Sequence, residues 1–400
     1  MNKLICFLTL DLQNSPYFTT YFGPLVRALS QDGDYAVIHL IRSHPNQAQV
    51  RNLVRIETKI SDTHTINDYS VHKFGDIFGV LKALSKLKQL VNSYEKIVIY
   101  RSFGGALLLL FLRILRYRFS KFIFDSDGLA IDEKIETNVL KKMSIKYFIL
   151  SQLEKYGISK ADTLVSRSIE TIGILDSRSK KKIARSSVVL KNGRSISQFK
   201  PFDGNRASAM RNSIGISAED FVVVYSGSLG PQYRPEDMIL IFDYISSFIS
   251  KSKFLVLANN ASATSHLAAI TSNVGKDSQI LMVESANPIQ IQDYLEIADV
   301  GLCLRTNAPS MRHVAPLKFR EYLFCGVPCV VTSNTADTFA NWEDEIYLWP
   351  DNFQPNDLSH FELWIKNIRE NRSQIRGRCR SRAIQEFNID EDVSKLMKFL

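Results

Sequence analysis

The 400 residues include few cysteines: Cys6, Cys303, Cys325, Cys329 and Cys379, with no Cys-x-x-Cys pair among them. An odd number without that spacing argues against a disulfide framework and against a zinc site. The cysteines mostly sit in apolar runs, as reduced core thiols of a cytosolic protein do. Long apolar runs are missing as well. The longest, Phe103–Leu112, stops at Arg113, short of the roughly 20 residues that cross a bilayer. The opening MNKLICFLTLD is interrupted by Asp11, and no small-x-small cleavage site follows. It reads as a first β-strand, not as a signal peptide. No signature of a nucleic-acid-binding module is visible.

What is present describes a globular chain. Hydrophobic residues make up 45% and charged residues 23%, and a chain this long suggests two domains, each able to bury its own core. Charge is unevenly divided. Residues 1–200 hold 31 Lys and Arg against 17 Asp and Glu, whereas residues 201–400 hold 19 against 24. A basic first half and an acidic second half argue for different partners. The basic clusters are Arg113/Arg116/Arg118/Lys121, Lys141/Lys142/Lys146 and Lys180/Lys181/Lys182/Arg185, interleaved with apolar or aromatic residues. Anionic membrane surfaces attract such segments. A solvated basic face ranks second and nucleic acid last.

Apolar strand patterns alternate with helical ones. In the first half, strands are expected at Lys3–Leu10, Tyr35–Ile41, Leu53–Glu57, Lys96–Tyr100, Lys121–Phe124, Thr163–Ser166 and Ser187–Leu190. Helices are expected at Phe18–Ser30, Ile77–Asn92, Gly104–Tyr117, Lys134–Tyr156 and Ile169–Ala184. In the second half, strands are expected at Phe221–Tyr225, Phe254–Ala258, Gln279–Val283, Asp299–Leu304, Pro328–Thr332 and Ile346–Leu348. Helices there are Pro235–Ser250, Ser262–Val274, Pro288–Ile297 and Pro316–Cys325, followed by a charged helical tail, Leu358 to Leu400. This alternation predicts an α/β protein with parallel sheets covered by helices on both faces. Ligands of such sheets bind beyond the carboxyl ends of the strands.

Several strand ends carry chemistry. Arg101-Ser102-Phe103-Gly104-Gly105 and Asp125-Ser126-Asp127-Gly128 follow two strands of the first half. Asp-x-Asp is a metal-binding pattern, but Asp32-Gly33-Asp34 and Asp390-Glu391-Asp392 show that it arises freely in this chain, and no metal is expected. Asp127 can accept hydrogen bonds from a ligand or cap the next helix. In the second half, Ser226-Gly227-Ser228-Leu229-Gly230 follows the first strand, with Arg234 just before a helix. Such a turn lets backbone N–H groups approach phosphate. Gly227 and Ser228 would abut the phosphates and Arg234 would supply a cation; an ordinary surface arginine is the alternative.

His313 to Pro328, HVAPLKFREYLFCGVP, is the most informative run. It reads as loop, short helix and turn between two buried strands. The amides of a helix's first turn have no partner within the helix and attract anions. Lys318 adds a full charge there, the wrong sign for a helix N-terminus unless an anion arrives. Glu321 lies on the same helix face; a carboxylate so placed suits the hydroxyls of a ribose or hexose. A surface Lys–Glu pair is the plain alternative.

The run resembles the donor-site motif of glycosyltransferase family 4, of the GT-B fold. Glu321, Tyr322, Gly326, Pro328 and Val330 match its end. His313 stands where the family has its first glutamate, and Val314-Ala315-Pro316 replaces its glycine turn. Lys191–Pro201 is similar to the family's interdomain segment through Asn192, Gly193, Phe199 and Pro201, and Ile297-Ala298-Asp299-Val300-Gly301 matches a common family string. The resemblance implies two Rossmann-like doubly wound domains with an interdomain cleft: an acceptor-side domain 1–192, a nucleotide-sugar domain 193–385, and a last helix 386–400 crossing back. It implies transfer of a hexose-type sugar, with retention and without a metal or other cofactor. Lys318 and Arg234 would meet the leaving diphosphate, with Asp127 as the third catalytic candidate. Glu321 would bind the ribose and Glu284 would lie at the base, with His313, Leu317, Gly227 and Ser228 completing the donor contacts. The expected acceptor is a saccharide or a polyprenyl-diphosphate-linked saccharide of surface-polysaccharide synthesis. The protein is expected in the cytoplasm, peripheral on the inner face of the plasma membrane, with no nucleic-acid partner. Two other readings fit the same residues: a sugar-nucleotide epimerase of the same fold, and a non-catalytic scaffold.

Overall fold

The computed structural model describes residues 3–12, 21–30, 35–42, 52–60, 63–71, 85, 95–126, 128–179, 186–230, 232–258, 279–284, 288–337, 339, 341–342, 344–351 and 358–400. They form two compact units, Met1–Lys191 with Ile389–Leu400, and Asn192–Asn388.

The first unit is built on an eight-stranded sheet in the order β4-β3-β2-β1-β5-β6-β7-β8. Its strands are β1 (Lys3–Leu12), β2 (Tyr35–Arg42), β3 (Asn52–Ile60), β4 (Thr63–Val71), β5 (Glu95–Arg101), β6 (Lys121–Asp125), β7 (Thr163–Ser166) and β8 (Ser186–Val189). The central strands are apolar on both faces because both are covered. From β1, Leu4, Cys6 and Leu8 join a core with Val98, Phe124 and Leu164 under helix Ser102–Ile114. Its alternate residues Ile5 and Phe7 face Tyr21, Phe22 and Leu25 on the other side. Ile389 and Leu396 of the last helix, Ile389–Met397, pack into that second core.

Two expectations for this unit need correction. The sheet is not wholly parallel: β3 runs antiparallel to both β2 and β4. Only residues 61 and 62 separate β3 from β4, which permits a hairpin but not a parallel crossover of a dozen or more residues. β4 itself, THTINDYSV, is too polar to stand out as a strand. The expected helix Lys134–Tyr156 is two helices, Ala130–Glu136 and Ile145–Lys160. Asn138 and Met143 take left-handed φ values of 59° and 66° between them, and the Ser144 hydroxyl restarts the helix by accepting from Tyr147 N at 3.1 Å. The expected helices Ile77–Asn92, apart from Ser85, and Ser262–Val274 lie outside the described residues.

The second unit holds a six-stranded sheet in the order β11-β10-β9-β12-β13-β14, with every pairing parallel. The strands are β9 (Phe221–Ser226), β10 (Ser252–Ala258), β11 (Ile280–Glu284), β12 (Val300–Cys303), β13 (Cys329–Thr332) and β14 (Ile346–Trp349). Helix Gly204–Ser213 precedes them. Its residues carry no clear apolar stripe, but Asp203 caps it through the amides of Asn205 and Arg206. From β9 the chain moves outward to β10 and β11, then returns to place β12 on the other side of β9. That reversal of strand order makes a crevice at the carboxyl ends of β9 and β12. All five cysteines are buried and free; burial pushes the Cys6 thiol up to about 12.

Candidate functional site

The crevice at the ends of β9 and β12 is organised by the helix Leu317–Phe324. Pro316 is its cap and not, as expected, its first turn; at φ −67° it presets the backbone entering the helix. Gly326, at φ 74°, follows the helix end. Tyr322 fastens the helix across the switch point. Its hydroxyl accepts from Ser226 N at 2.8 Å and donates to the Leu302 carbonyl at 3.3 Å. Gly301 makes that crossing possible, since a Cβ there would lie 2.5 Å from the Tyr322 ring. Arg320, fully buried, clamps the same helix start through both oxygens of Asp337 and the Pro316 carbonyl at 3.0 Å.

This scaffold buries Lys318. Its Nζ donates to the Tyr225 hydroxyl at 2.8 Å and lies 4.0 Å from the ring centroid of Tyr225 and 4.2 Å from that of Tyr233. Among the described residues no carboxylate is ion-paired with it. Burial pulls its pKa below the ordinary lysine value, offset in part by Tyr233. The aromatic faces supply some of the lost hydration. Gly227, at φ 117°, faces the ammonium: a Cβ there would stand 3.2 Å from Nζ. Ser228 belongs to the same cluster, its carbonyl accepting from Tyr225 Oη at 2.5 Å and its hydroxyl 3.4 Å from Tyr233 Oη.

A second cation reaches the cluster from β12. Arg305, largely buried, stacks on Tyr233 with its guanidinium carbon 4.6 Å from the ring centroid. Lys318 and Arg305 thus share one aromatic ring in a buried place where like charges repel, which is an arrangement that an anion stabilises. Arg234 is differently engaged. It caps helix Pro235–Phe248, pairs with Asp237, and reaches Asp351 at 3.3 Å, so its charge is shared with two carboxylates.

Glu321, largely buried, is paired with the fully buried Arg194. Arg194 is held by its own amide, which donates to Phe387 O at 2.7 Å, and Asn192 Nδ2 donates to Ala315 O at 3.0 Å beside it. His313 closes the short helix Pro309–His313 and is half-buried, as is Leu317. Glu284 ends β11 opposite Ala258; its side chain lies outside the described residues. So does Asp127. Its neighbour Asp125 is buried against Arg167 at 3.0 Å, at the carboxyl end of β6. The structure therefore gathers Gly227, Ser228 and Lys318. It sets Glu321 on the same short helix. Tyr225, Tyr233, Arg305 and Arg194 are additions that motif reading missed. For Arg305 a signal existed: an arginine directly following the apolar run of a buried strand.

No protein-family model matches the sequence, and no curated protein matches it. Solved structures do. Sucrose-phosphate synthase from Thermosynechococcus elongatus is similar over 100% of this chain and 98% of its own, with TM-score 0.70 at 14% identity. A glycosyltransferase from Rickettsia africae is similar over 99% of this chain and 97% of its own, with TM-score 0.67 at 10% identity. HepE from Anabaena, solved in complex with UDP-glucose, is similar over 100% of both chains, with TM-score 0.63 at 12% identity. The chain has the GT-B fold. The GT-B architecture accounts for the two sheets, and within the second unit the Lys318 cluster occupies the carboxyl-end crevice. Among the described residues no helix is long and apolar enough to cross a membrane, and no His, Cys, Asp and Glu side chains cluster as a metal site would.

Proposed function

We propose that this protein is a glycosyltransferase that moves a hexose-type sugar from a nucleotide-sugar to a saccharide or lipid-linked saccharide. The observation that carries the proposal is Lys318: a buried ammonium, with no paired carboxylate among the described residues, held against a glycine turn at the first turn of a helix. When the bond from the anomeric carbon to the diphosphate oxygen breaks, negative charge grows on the phosphates. Lys318, Arg305 and the helix amides are pre-placed positive charge for that moment, and such preorganisation supplies several kcal/mol. Their charge does the work that a divalent cation does elsewhere, so no metal is called for. Gly227 leaves space for a phosphate to approach. The free acceptor capacity of Glu321, beyond its bond to Arg194, suits ribose hydroxyls. HepE, a protein of similar fold, has been seen with UDP-glucose, which supports a nucleotide-sugar as the donor. Similarity to family 4 implies retention of configuration and a role in surface polysaccharide, with a polyprenyl-diphosphate-linked acceptor at the inner face of the plasma membrane.

The test is a thermal-shift panel of nucleoside diphosphates and nucleotide-sugars, followed by transfer assays with the stabilising donor. Stabilisation by one nucleoside diphosphate and its sugar, with product formed only when acceptor is present, is the expected result. Conversion of donor without acceptor marks an epimerase. No stabilisation by any member marks a scaffold and overturns the proposal.

A further inference from the structure

The first unit carries an apolar surface that the transfer reaction does not explain. Between Glu136 and Glu154 the sequence TNVLKKMSIKYFILSQL contains three lysines and no carboxylate. None of residues 141–153 is buried, although the stretch includes Met143, Ile145, Tyr147, Phe148, Ile149, Leu150 and Leu153. Val139 is 62% exposed, Met143 76%, Ile145 81%, Phe148 52% and Ile149 54%. A monomeric protein seldom leaves large apolar side chains so concentrated in one place.

The backbone explains how they come to stand out. Left-handed turns at Asn138 and Met143 separate one helix from the next. The helix Ile145–Lys160 is then anchored only by its second half: Glu154, Gly157 and Ile158 are its buried residues, and the Gly157 carbonyl accepts from Tyr100 Oη at 2.6 Å. A Cβ at Gly157 would meet Ala106 at 3.1 Å, so the helix is seated closely there on helix Ser102–Ile114. Its first half, residues 145–150, has no buried residue. Ile145, Phe148 and Ile149 share one face by helical spacing. Lys141, Lys142 and Lys146 are exposed around them, on stems long enough to keep their charge at headgroup level while apolar neighbours sink lower.

We infer that Val139–Ile149 is a membrane-docking tip: Met143, Ile145, Phe148 and Ile149 enter the interface of a bilayer while Lys141, Lys142 and Lys146 bind anionic headgroups. This deepens the membrane placement proposed above by naming the element that makes contact. Three lysines and no carboxylate beside exposed apolar side chains match the charge and depth of an anionic lipid surface. The apolar side chains set a depth and the lysines set the lipid preference.

Flotation of the full chain with vesicles tests this without donor or acceptor, so it stands or falls apart from the nucleotide panel. Phosphatidylcholine vesicles with and without phosphatidylglycerol are the probes. The parent should float with the mixed vesicles at low salt and bind pure phosphatidylcholine far more weakly. Replacing the three lysines by glutamine should cost about a hundredfold in partition to mixed vesicles. Ile145→Ser with Phe148→Ser should lower the partition about tenfold or more, and should do so at high salt as well. These side chains are exposed, so the variants are expected to keep the parent's thermal unfolding. Equal binding to both vesicle types, unchanged binding of either variant, or a stable dimer in solution that Ile145→Ser/Phe148→Ser dissociates would each overturn the inference.

Discussion

The guanidinium of Arg194 is ion-paired with the carboxylate of Glu321, joining the first residues of the second unit to the helix that carries Lys318. The partners are unequal. Arg194 is wholly buried, and Glu321 keeps 15% of its side chain exposed. Removing Glu321 therefore strands a buried cation, whereas removing Arg194 leaves a carboxylate that water can still reach. Glu321→Ala should cost about 3–5 kcal/mol and Arg194→Met about 2 kcal/mol less. Urea unfolding of both variants and of the double variant measures the coupling; an equal loss from each single change would contradict this asymmetry.

Lys318→Met keeps the volume of the side chain and removes the charge. The lost contacts with Tyr225 and Tyr233 are offset by relief of the burial cost. The unfolding free energy of the ligand-free protein should change by no more than about 1 kcal/mol. Nucleoside diphosphate affinity should fall about a hundredfold, as expected when a charged partner is removed from a buried anion. Calorimetric titration beside thermal unfolding separates the two effects.

The same lysine sets a pH dependence. Its pKa is lowered in the fold by burial, so between that value and the ordinary 10.5 the unfolded chain binds the extra proton. Lys318 thus costs stability at lower pH, and stability rises with pH through that window. A bound diphosphate favours the ammonium and reverses the shift. Donor binding should take up a proton and weaken as pH rises above the lowered value. Lys318→Arg should flatten that profile; an identical profile in both proteins would assign it to another group.

Gly227→Ala places a methyl 3.2 Å from the Lys318 ammonium at φ 117°. The strained backbone alone should cost about 1–3 kcal/mol. On the proposed function, donor KM should rise as well, because the methyl would narrow the approach to the phosphates. Steady-state kinetics with a stability measurement reads both. A variant with parental KM and lower stability would make the glycine purely structural.

Arg305 and Arg234 differ in how they relate to the Lys318 cluster. Arg234 shares its charge with Asp237 and Asp351, while Arg305 lies against the ring that Lys318 also faces. Arg305→Met should therefore weaken nucleoside diphosphate binding more than Arg234→Met, by about tenfold. The reverse order in a titration would return Arg234 to the diphosphate.

Local pattern was enough for much of this architecture. The apolar runs of β1, β5, β9, β10 and β12 are buried on both faces, and such runs announce themselves whatever surrounds them. Gly227 and Lys318 were legible for a related reason: a glycine turn after a strand and a lysine in a helix's first turn are both out of place without an anion. The antiparallel β3–β4 hairpin was not legible, because β4 is polar and its partner decides its state more than its own residues do. Nor was the break at residues 137–144, where left-handed turns at Asn138 and Met143 interrupt a sequence with good helix formers on either side.

The sequence by itself determined that the chain makes two α/β units and marked a glycine turn and a helix-start lysine as candidates for one site, since hydrophobic period and turn chemistry act over a few residues. Only the tertiary structure decided which cations share that site. Arg305 joins Lys318 across Tyr233, Arg194 takes Glu321 from 127 residues away, and Arg234 is held by Asp237 and Asp351. Charge pairing depends on distance in space, and parallel strands bring together residues that the chain order keeps far apart.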